Sequence, residues 1–199
     1  MRKVIYITLV VALSIIGAAC SGSGEKSAPA AANTGGPGNN SSSAGGGGDA
    51  PAVVRSALTD AQSVTTEHKE LSAAQVGEIE KETGTKIKET DHHSYVGFAT
   101  AGGTRKQVGA ATLVDAGGKQ MVVVYESRGG VPYIKEVRAE GVPQAFLDQF
   151  KGKGHDDKLQ IGQDLKAQGL DEATARAAAD AIRQDTRIMQ ALYGGAHTH

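Results

Sequence analysis

The sequence contains very little cysteine, few aromatic residues and almost no net charge. Its 199 residues include one cysteine, no tryptophan and 4% aromatic side chains, with 21 basic against 22 acidic residues. One cysteine cannot close an intramolecular disulfide or build a thiolate metal site. A formal charge of −1 excludes a general nucleic-acid binder, because phosphate binding requires a cationic excess. We therefore expect no nucleic-acid partner.

The one long apolar run lies at the N-terminus and is too short for a membrane-spanning helix. Val4–Ala19 comprises 16 uncharged, mostly apolar residues, whereas a helix needs about 20 to cross a bilayer. With Arg2 and Lys3 before it and small residues at its end, it has the layout of an export signal. Residues 1–20 resemble a bacterial lipoprotein signal in which Cys20 is lipidated; a plain export signal or an uncleaved anchor is the alternative. The resemblance implies an exported chain, lipid-anchored to the membrane and facing the periplasm or the cell exterior.

A change of composition separates a linker from a domain. Residues 21–52 contain nine glycines, six serines and only three charged residues. Such a segment buries too little apolar surface to offset the entropy of ordering, so a disordered linker is expected. The remaining 147 residues, 53–199, suffice for one domain with a buried core. At the start of that domain, the weak pattern of Val53–Lys69 is compatible with a loose helix or with the end of the linker.

Strands followed by helices predict an α+β fold, an antiparallel sheet packed with helices. A first helix begins near Ser72, which forms a capping box with Gln75, and ends at Gly84. Alternating apolar residues and glycine-rich turns then predict strands, including a hairpin about the turn Asp115–Gly118. The predicted strands are Tyr95–Ala99, Val108–Val114, Lys119–Tyr125 and Tyr133–Val137.

Two helical segments follow the strands. The first begins at Pro143, carries an apolar stripe and ends at Gly152. The second is a long helix from an N-cap at Asp171 to Tyr193, with a face of mostly small residues. Both faces of the strand Lys119–Tyr125 are apolar, which predicts that this strand is covered on both sides.

Three sequence blocks occur in order after the first arm of the hairpin. They read Tyr125-Glu126-Ser127-Arg128-Gly129-Gly130, Phe146-Leu147-Asp148-Gln149-Phe150-Lys151-Gly152-Lys153-Gly154 and Leu159-Gln160-Ile161-Gly162-Gln163-Asp164-Leu165. In order and spacing they resemble the FMN-binding domain family of extracytoplasmic electron-transfer proteins. That family includes the flavinylated subunits of the sodium-pumping NADH:quinone reductase and of the Rnf complex, and smaller stand-alone members. The resemblance covers about residues 95–193, and residues 71–87 resemble the upstream helix of stand-alone members.

The resemblance implies a bound FMN that exchanges electrons with an unidentified redox partner, in an electron carrier rather than a turnover enzyme. Gly129-Gly130 suits close approach of backbone N–H groups to a ring or a phosphate. Glu126 and Ser127 are candidates to orient polar edges, and Lys151 or Lys153 to neutralise phosphate. An ordinary turn and a solvated helix end are the alternative interpretations. We expect the double-glycine bend and the start of the final helix to border one pocket.

The covalent attachment region departs from the family pattern. Members that bind FMN covalently carry an Asp, two residues, Ser or Thr, and then Gly-Ala-Thr, whose last threonine forms a phosphoester with FMN. The corresponding place here reads Asp171-Glu172-Ala173-Thr174, so only the final Ala-Thr remains and a two-residue shift is needed. Two carboxylates beside an incoming phosphate are electrostatically unfavourable. Thr174 stays a candidate cofactor contact, but we expect non-covalent FMN, with loss of the flavin as the alternative.

Histidines supply the competing hypothesis, a metal-binding or cofactor-free lipoprotein that acts as an interaction module of a membrane respiratory complex. His92, His93, His155, His197 and His199 are of the residue type that zinc, copper and iron prefer. Neighbouring residues on a strand point to opposite faces, so His92 and His93 are not expected to share a metal. The sequence therefore assigns no metal site. It also lacks a nucleophile–base motif, which argues against a hydrolytic enzyme.

Overall fold

Five antiparallel strands in sequence order form the sheet of the computed structural model, which describes residues 50–195. They are β1 (Ser63–Glu70), β2 (Asp91–Ala101), β3 (Thr104–Ala116), β4 (Lys119–Arg128) and β5 (Val131–Ala139). Each strand pairs with the next along the chain, so the sheet is a meander. The predicted signal with Cys20, nearly all of the predicted linker, and His197 and His199 lie outside the described residues.

Helices pack on the sheet within residues 50–195. They are α1 (Ala52–Ala57), α2 (Ala73–Thr83), α3 (Gln144–Leu147) with the 3₁₀ turn Asp148–Phe150, and α4 (Glu172–Tyr193). In this part of the chain, no helix combines the length and the apolar character that crossing a bilayer requires. The predicted α+β fold with an antiparallel sheet is confirmed.

The sheet carries a buried apolar layer on each face, and β4 contributes to both. Met121, Val123 and Tyr125 belong to the core beneath α3 and α4. Val122 and Val124 belong to the smaller core beneath α1. The prediction that this strand is covered on both sides is confirmed, and it follows from the alternation of side chains along a strand.

Helix α2 begins and ends where its capping residues predict. The Ser72 hydroxyl accepts the Gln75 N–H, and the Gln75 side chain accepts the Ser72 N–H. Gly84 ends the helix in the left-handed conformation, with φ of +71°. Ile79 then packs with Ile188 of α4, which attaches α2 to the long helix.

The segment Val53–Lys69 forms α1 followed by β1, a strand that the sequence analysis did not predict. Ala50, inside the predicted linker, is already buried in the core beneath α1. Along β1 only Val64 is buried, because this strand lies at the edge of the sheet and is polar on most positions. Hydrophobic alternation is therefore too weak there to mark a strand.

Two β-bulges interrupt the register of the sheet. Val108 is the extra residue in β3 opposite the Gly97–Phe98 step of β2, and Lys135 is the extra residue in β5 opposite the Val124–Tyr125 step of β4. A bulge bends its strand and redirects the side chains that follow. Both bulges lie close in register to the pair Ala110–Tyr125, the last one between β3 and β4.

The segment after α3 covers the outer edge of β5. The Gly152 N–H donates to the Ile134 carbonyl, and the Ile134 N–H donates to the Lys153 carbonyl. Further on, the Asp164 carboxylate accepts the backbone N–H groups of Leu159 and Gln160 at 3.0 and 2.9 Å. These bonds connect the two ends of the turn formed by residues 159–164.

Candidate functional site

A cavity of about 270 Å³ lies between β3, β4 and the C-terminal end of α4. It lies beyond the last β3–β4 pair, where β3 continues beside β2 and β4 continues beside β5. Three of the predicted cofactor residues, Glu126, Ser127 and Gly130, belong to its lining. The lining residues are Gln107, Ala110, Tyr125, Glu126, Ser127, Gly130, Pro132, Met189 and Tyr193.

Aromatic and sulfur-containing side chains form the apolar part of the cavity. Tyr125 and Met189 are buried, and Tyr193 is half-buried at the end of α4. The Tyr193 hydroxyl shares a 2.5 Å hydrogen bond with the Ser94 hydroxyl. The Lys69 ammonium lies 3.7 Å from the centroid of the Tyr193 ring. Two neighbours therefore hold this ring in place.

Glu126, one of the lining residues, forms a charged pair with Arg128. Arg128 donates from Nη2 and Nε to Oε1 of Glu126, at 2.5 and 2.8 Å. The Arg128 guanidinium also lies 5.0 Å from the centroid of the Tyr133 ring. The pair is partly exposed, so water screens it and either partner can exchange it for a ligand at small cost.

The double-glycine turn joins β4 to β5 at the C-terminal end of α4. Gly129 and Gly130 have φ of +63° and +87°, as a tight hairpin turn of this kind requires. The Gly195 N–H, just beyond α4, donates to the Gly130 carbonyl at 3.4 Å. This contact places the turn at the C-terminal end of α4.

A buried carboxylate lies behind the Tyr125 wall of the cavity. Oδ2 of Asp185 accepts the hydroxyls of Thr112 and Tyr125, each at 2.6 Å. Nε2 of His92 lies 3.6 Å from Oδ1 of the same carboxylate. Burial raises the pKa of Asp185, and the His92, Thr112 and Tyr125 contacts oppose that rise without cancelling it. Burial and the neighbouring Asp185 raise the pKa of Tyr125, which keeps its hydroxyl a neutral donor.

Lys153 and Thr174 do not join the other predicted residues. The Lys153 ammonium lies 3.4 Å from Asp157 and 3.2 Å from Asp164, in the loop before α4. Thr174 is in the first turn of α4, about 22 Å from Met189 by the rise of the helix. The expectation that the double-glycine bend and the start of the final helix border one pocket is therefore wrong, because the chain brings the bend to the opposite end of α4.

The start of α4 is already occupied by carboxylates of the chain itself. Oδ1 of Asp171 accepts the Thr174 N–H at 2.9 Å, and hydrogen bonds from Thr174 lower the pKa of Asp171. Glu172 forms an ion pair with Arg176 one turn later. An anionic phosphate placed here would compete with both acidic side chains for the positive end of the helix.

The histidines named in the sequence analysis do not form a common site within the described residues. His92 is directed towards Asp185, and its side chain is 14% exposed. His93 is directed to the other face, where it lies 2.9 Å from Asp91. The His155 ring centroid lies 6.4 Å from that of Tyr133, and the His155 backbone carbonyl accepts a hydrogen bond from Arg187.

Sequence analysis missed the contribution of α4 to the cavity region. Asp185, Met189 and Tyr193 follow one another at intervals of four, which places them on one helix face. The sequence feature that could have predicted this contribution is Asp185, a carboxylate within an apolar stripe of the helix. Such a residue needs buried hydrogen-bond donors, which Tyr125 and Thr112 supply.

A larger, open groove lies elsewhere and is lined from both faces of β2, since His92 and His93 both border it. Its volume is about 700 Å³, and it is bordered by residues 85–89, the β3–β4 turn and α4. It contains none of the predicted cofactor residues. Acidic and basic side chains both line it, including Lys86, Lys88, Asp115 and Asp180, so it favours no single sign of ligand charge.

Comparison with protein-family models, with curated proteins and with solved structures finds no match to this chain. A functional proposal therefore rests on the cavity and on the sequence blocks that border it.

Proposed function

We propose that this domain binds FMN non-covalently and takes part in electron transfer, as an exported and lipid-anchored protein. The observation that carries the proposal is the cavity at the C-terminal end of α4, whose lining includes Glu126, Ser127 and Gly130. These residues belong to the first of the blocks that resemble the FMN-binding family. Bound FMN would supply reversible one- or two-electron transfer.

A flat heteroaromatic ring suits this cavity because apolar walls meet a polar rim. Tyr125, Met189 and Tyr193 offer aromatic and thioether surface to its faces. The Ser127 hydroxyl and the backbone of Gly130 offer hydrogen-bonding groups to its edges. The volume of about 270 Å³ falls just below the range of about 300–1,000 Å³ for ligand pockets. We therefore place the isoalloxazine ring of FMN inside the cavity and its phosphate outside the cavity.

Arg128 is the cation that we assign to the phosphate. It is paired with Glu126, which lines the cavity, and a planar guanidinium can bind phosphate through two parallel hydrogen bonds. It would leave Glu126, but a solvent-exposed pair of this kind contributes only about 1 kcal/mol or less. Lys153 is less suitable because Asp157 and Asp164 already neutralise it.

The domain's own contribution is to position the ring and to keep water away from it. Asp185 holds the Tyr125 hydroxyl, and Ser94 holds the Tyr193 hydroxyl. Both rings are thus fixed before any ligand arrives, which lowers the entropic cost of binding. The acidic start of α4 supports non-covalent binding over an ester at Thr174.

The proposal includes a membrane anchor and a partner. Support for export and for lipid attachment at Cys20 comes from the apolar run and the unique cysteine of residues 1–20. The partner would be a redox protein on the same side of the membrane, and no nucleic acid is involved. An interaction module without a cofactor is the alternative that the test must exclude.

Spectroscopy of the purified protein and titration with FMN test the proposal. The chain is expressed in a host with export and flavin supply, and we expect yellow protein whose flavin is released by acid. In the flavin-free protein, Tyr193→Ala should weaken FMN binding about two- to tenfold, since an aromatic stacking partner contributes about 0.5–1.5 kcal/mol. Arg128→Ala should weaken FMN more than it weakens riboflavin, which has no phosphate.

Thr174→Ala is the matched control, because it alters the family's attachment position at the other end of α4. Its FMN affinity should equal that of the unchanged protein. Flavin that stays on the denatured chain and disappears in Thr174→Ala would contradict the proposed site. Protein that is colourless and binds no added FMN would contradict the function itself and favour the interaction module.

A further inference from the structure

Two histidines and one aspartate lie together on an exposed part of the sheet, on the strands β1 and β2. His68 of β1 is directly opposite His93 of β2, and their ring centroids are 4.0 Å apart. Asp91 precedes His93 by two residues, so the two share one face of β2. All three side chains are exposed to solvent. We call these three residues the histidine cluster.

The ligand atoms of the histidine cluster are close to the spacing that a metal ion requires. Oδ2 of Asp91 lies 2.9 Å from Nε2 of His93 and 3.4 Å from Nδ1 of His68. One ligand atom from each residue falls within 4.8 Å of the other two. Tetrahedral zinc with bonds of about 2.0–2.1 Å separates its ligands by about 3.3 Å. Side-chain rotation alone can close the difference.

We propose that His68, Asp91 and His93 bind a divalent transition-metal ion of the zinc type. Two imidazoles with one carboxylate form a ligand set that suits such ions. Magnesium and calcium are less suited to it, because they take oxygen ligands. Three protein ligands leave a fourth position for water or for a further side chain. Glu70 lies opposite Asp91 in register and on the same face, which makes it a candidate for that position.

The backbone beneath the histidine cluster is already ordered. β1 and β2 are paired without interruption from Ser63–Phe98 to Glu70–Asp91. Metal-binding side chains on paired strands keep their spacing before a metal binds, whereas side chains on a loop must be ordered by the metal. The exposed position leaves the site open to ions from solvent.

The histidine cluster is independent of the flavin cavity. His68 is on the same face of β1 as Val64, which belongs to the core beneath α1. The cavity lies on the α4 face, where Met189 and Tyr193 line it. Metal binding and FMN binding can therefore succeed or fail separately.

Calorimetric titration of the purified full-length chain with Zn²⁺ tests the proposal. The reference protein and every variant carry His197→Ala and His199→Ala, so that the C-terminal histidines cannot contribute ligands. We expect one Zn²⁺ per chain, and at least tenfold weaker binding for His68→Ala and for His93→Ala. His155→Gln is the matched control, since it removes a histidine outside the cluster, and it should keep the affinity unchanged.

A second measurement needs no variant of the cluster. It is nitrogen NMR of the imidazole rings in the chain that keeps both cluster histidines. Zn²⁺ should shift the ring resonances of His68 and His93 and leave those of His155 in place. Absence of Zn²⁺ binding would overturn the proposal. So would an affinity that persists in both cluster variants, or one that His155→Gln removes.

Discussion

The Tyr125 hydroxyl donates a 2.6 Å hydrogen bond to Oδ2 of Asp185, joining an interior strand of the sheet to the long helix. Both residues are buried, and Tyr125 lines the cavity on its other side. The bond therefore couples the rigidity of the proposed binding site to the packing of the core.

Replacing Tyr125 by phenylalanine should destabilise the domain and weaken ligand binding only slightly. The ring and its packing remain, so the loss is one buried hydrogen bond, about 1–1.5 kcal/mol of unfolding free energy. Urea unfolding followed by circular dichroism measures it. A tenfold loss of FMN affinity at unchanged stability would show that the hydroxyl contacts the ligand, contrary to the proposed role.

Asp185→Asn should change the pH dependence of stability. Burial raises the folded-state pKa of Asp185, so the folded domain holds this proton at pH values where the unfolded chain has lost it. The contribution of Asp185 to the unfolding free energy therefore falls as pH rises from the unfolded value, about 4, through the raised folded value. We expect the stability difference between the parent protein and Asp185→Asn to be larger at pH 4 than at pH 7.

Urea unfolding of both proteins at the two pH values checks this expectation. Ile182→Val, a buried change on the same helix, serves as control because neither side chain titrates. Its cost of about 0.5–1.5 kcal/mol should not depend on pH. A difference for Asp185→Asn that grows towards pH 7 would mean that the carboxylate is ionised and stabilising in the folded state.

Features fixed by neighbours in the chain could be predicted from the sequence. The capping box of Ser72 and Gln75 and the left-handed Gly84 need only three or four consecutive residues, and both are confirmed. The turn Asp115–Gly118 is confirmed as well, with φ of +63° and +80° at Gly117 and Gly118. Local backbone preferences decide these features.

Features fixed by distant contacts could not be predicted in the same way. The strand β1 has one buried residue, Val64, and pairing with β2 rather than hydrophobic alternation makes it a strand. The sequence likewise does not say which end of α4 meets the Gly129–Gly130 turn. A helix of this length extends about 30 Å, so that choice separates two different candidate sites.

Glycine positions supply a matched pair of stability predictions. A Cβ at Gly154 would lie 2.7 Å from two carbons of the Tyr133 ring, so Gly154→Ala should cost about 1–3 kcal/mol through overpacking. Gly77 lies exposed in α2, and a Cβ there meets nothing within 4 Å. Gly77→Ala should instead stabilise by about 0.5–1 kcal/mol, because alanine loses less backbone entropy in a helix. Thermal unfolding of both variants gives the signs, and a stabilising Gly154→Ala would show that the Tyr133 ring moves freely.

Asp164→Ala should destabilise the loop before α4, with a pH dependence opposite to that of Asp185→Asn. Burial raises the pKa of Asp164, but the N–H groups of Gln160 and Leu159, with the Lys153 ammonium, outweigh it and hold the pKa below its usual value. The stabilisation is present above the unfolded pKa, near 4, and is lost as pH falls through the lower folded value. Leu159 is fully buried at φ of +51°, a conformation that needs such support.

At pH 7 the alanine variant should lose about 2–3 kcal/mol, since two backbone donors lose their acceptor. The loss should shrink at pH 3, which urea unfolding at both pH values measures. Gln163→Ala on the same turn is the control; its side chain is exposed, and its cost should stay within about 0.5 kcal/mol. Equal losses for the two variants would mean that the turn holds without the carboxylate. In that case, Leu159 would owe its left-handed conformation to packing beneath α4 alone.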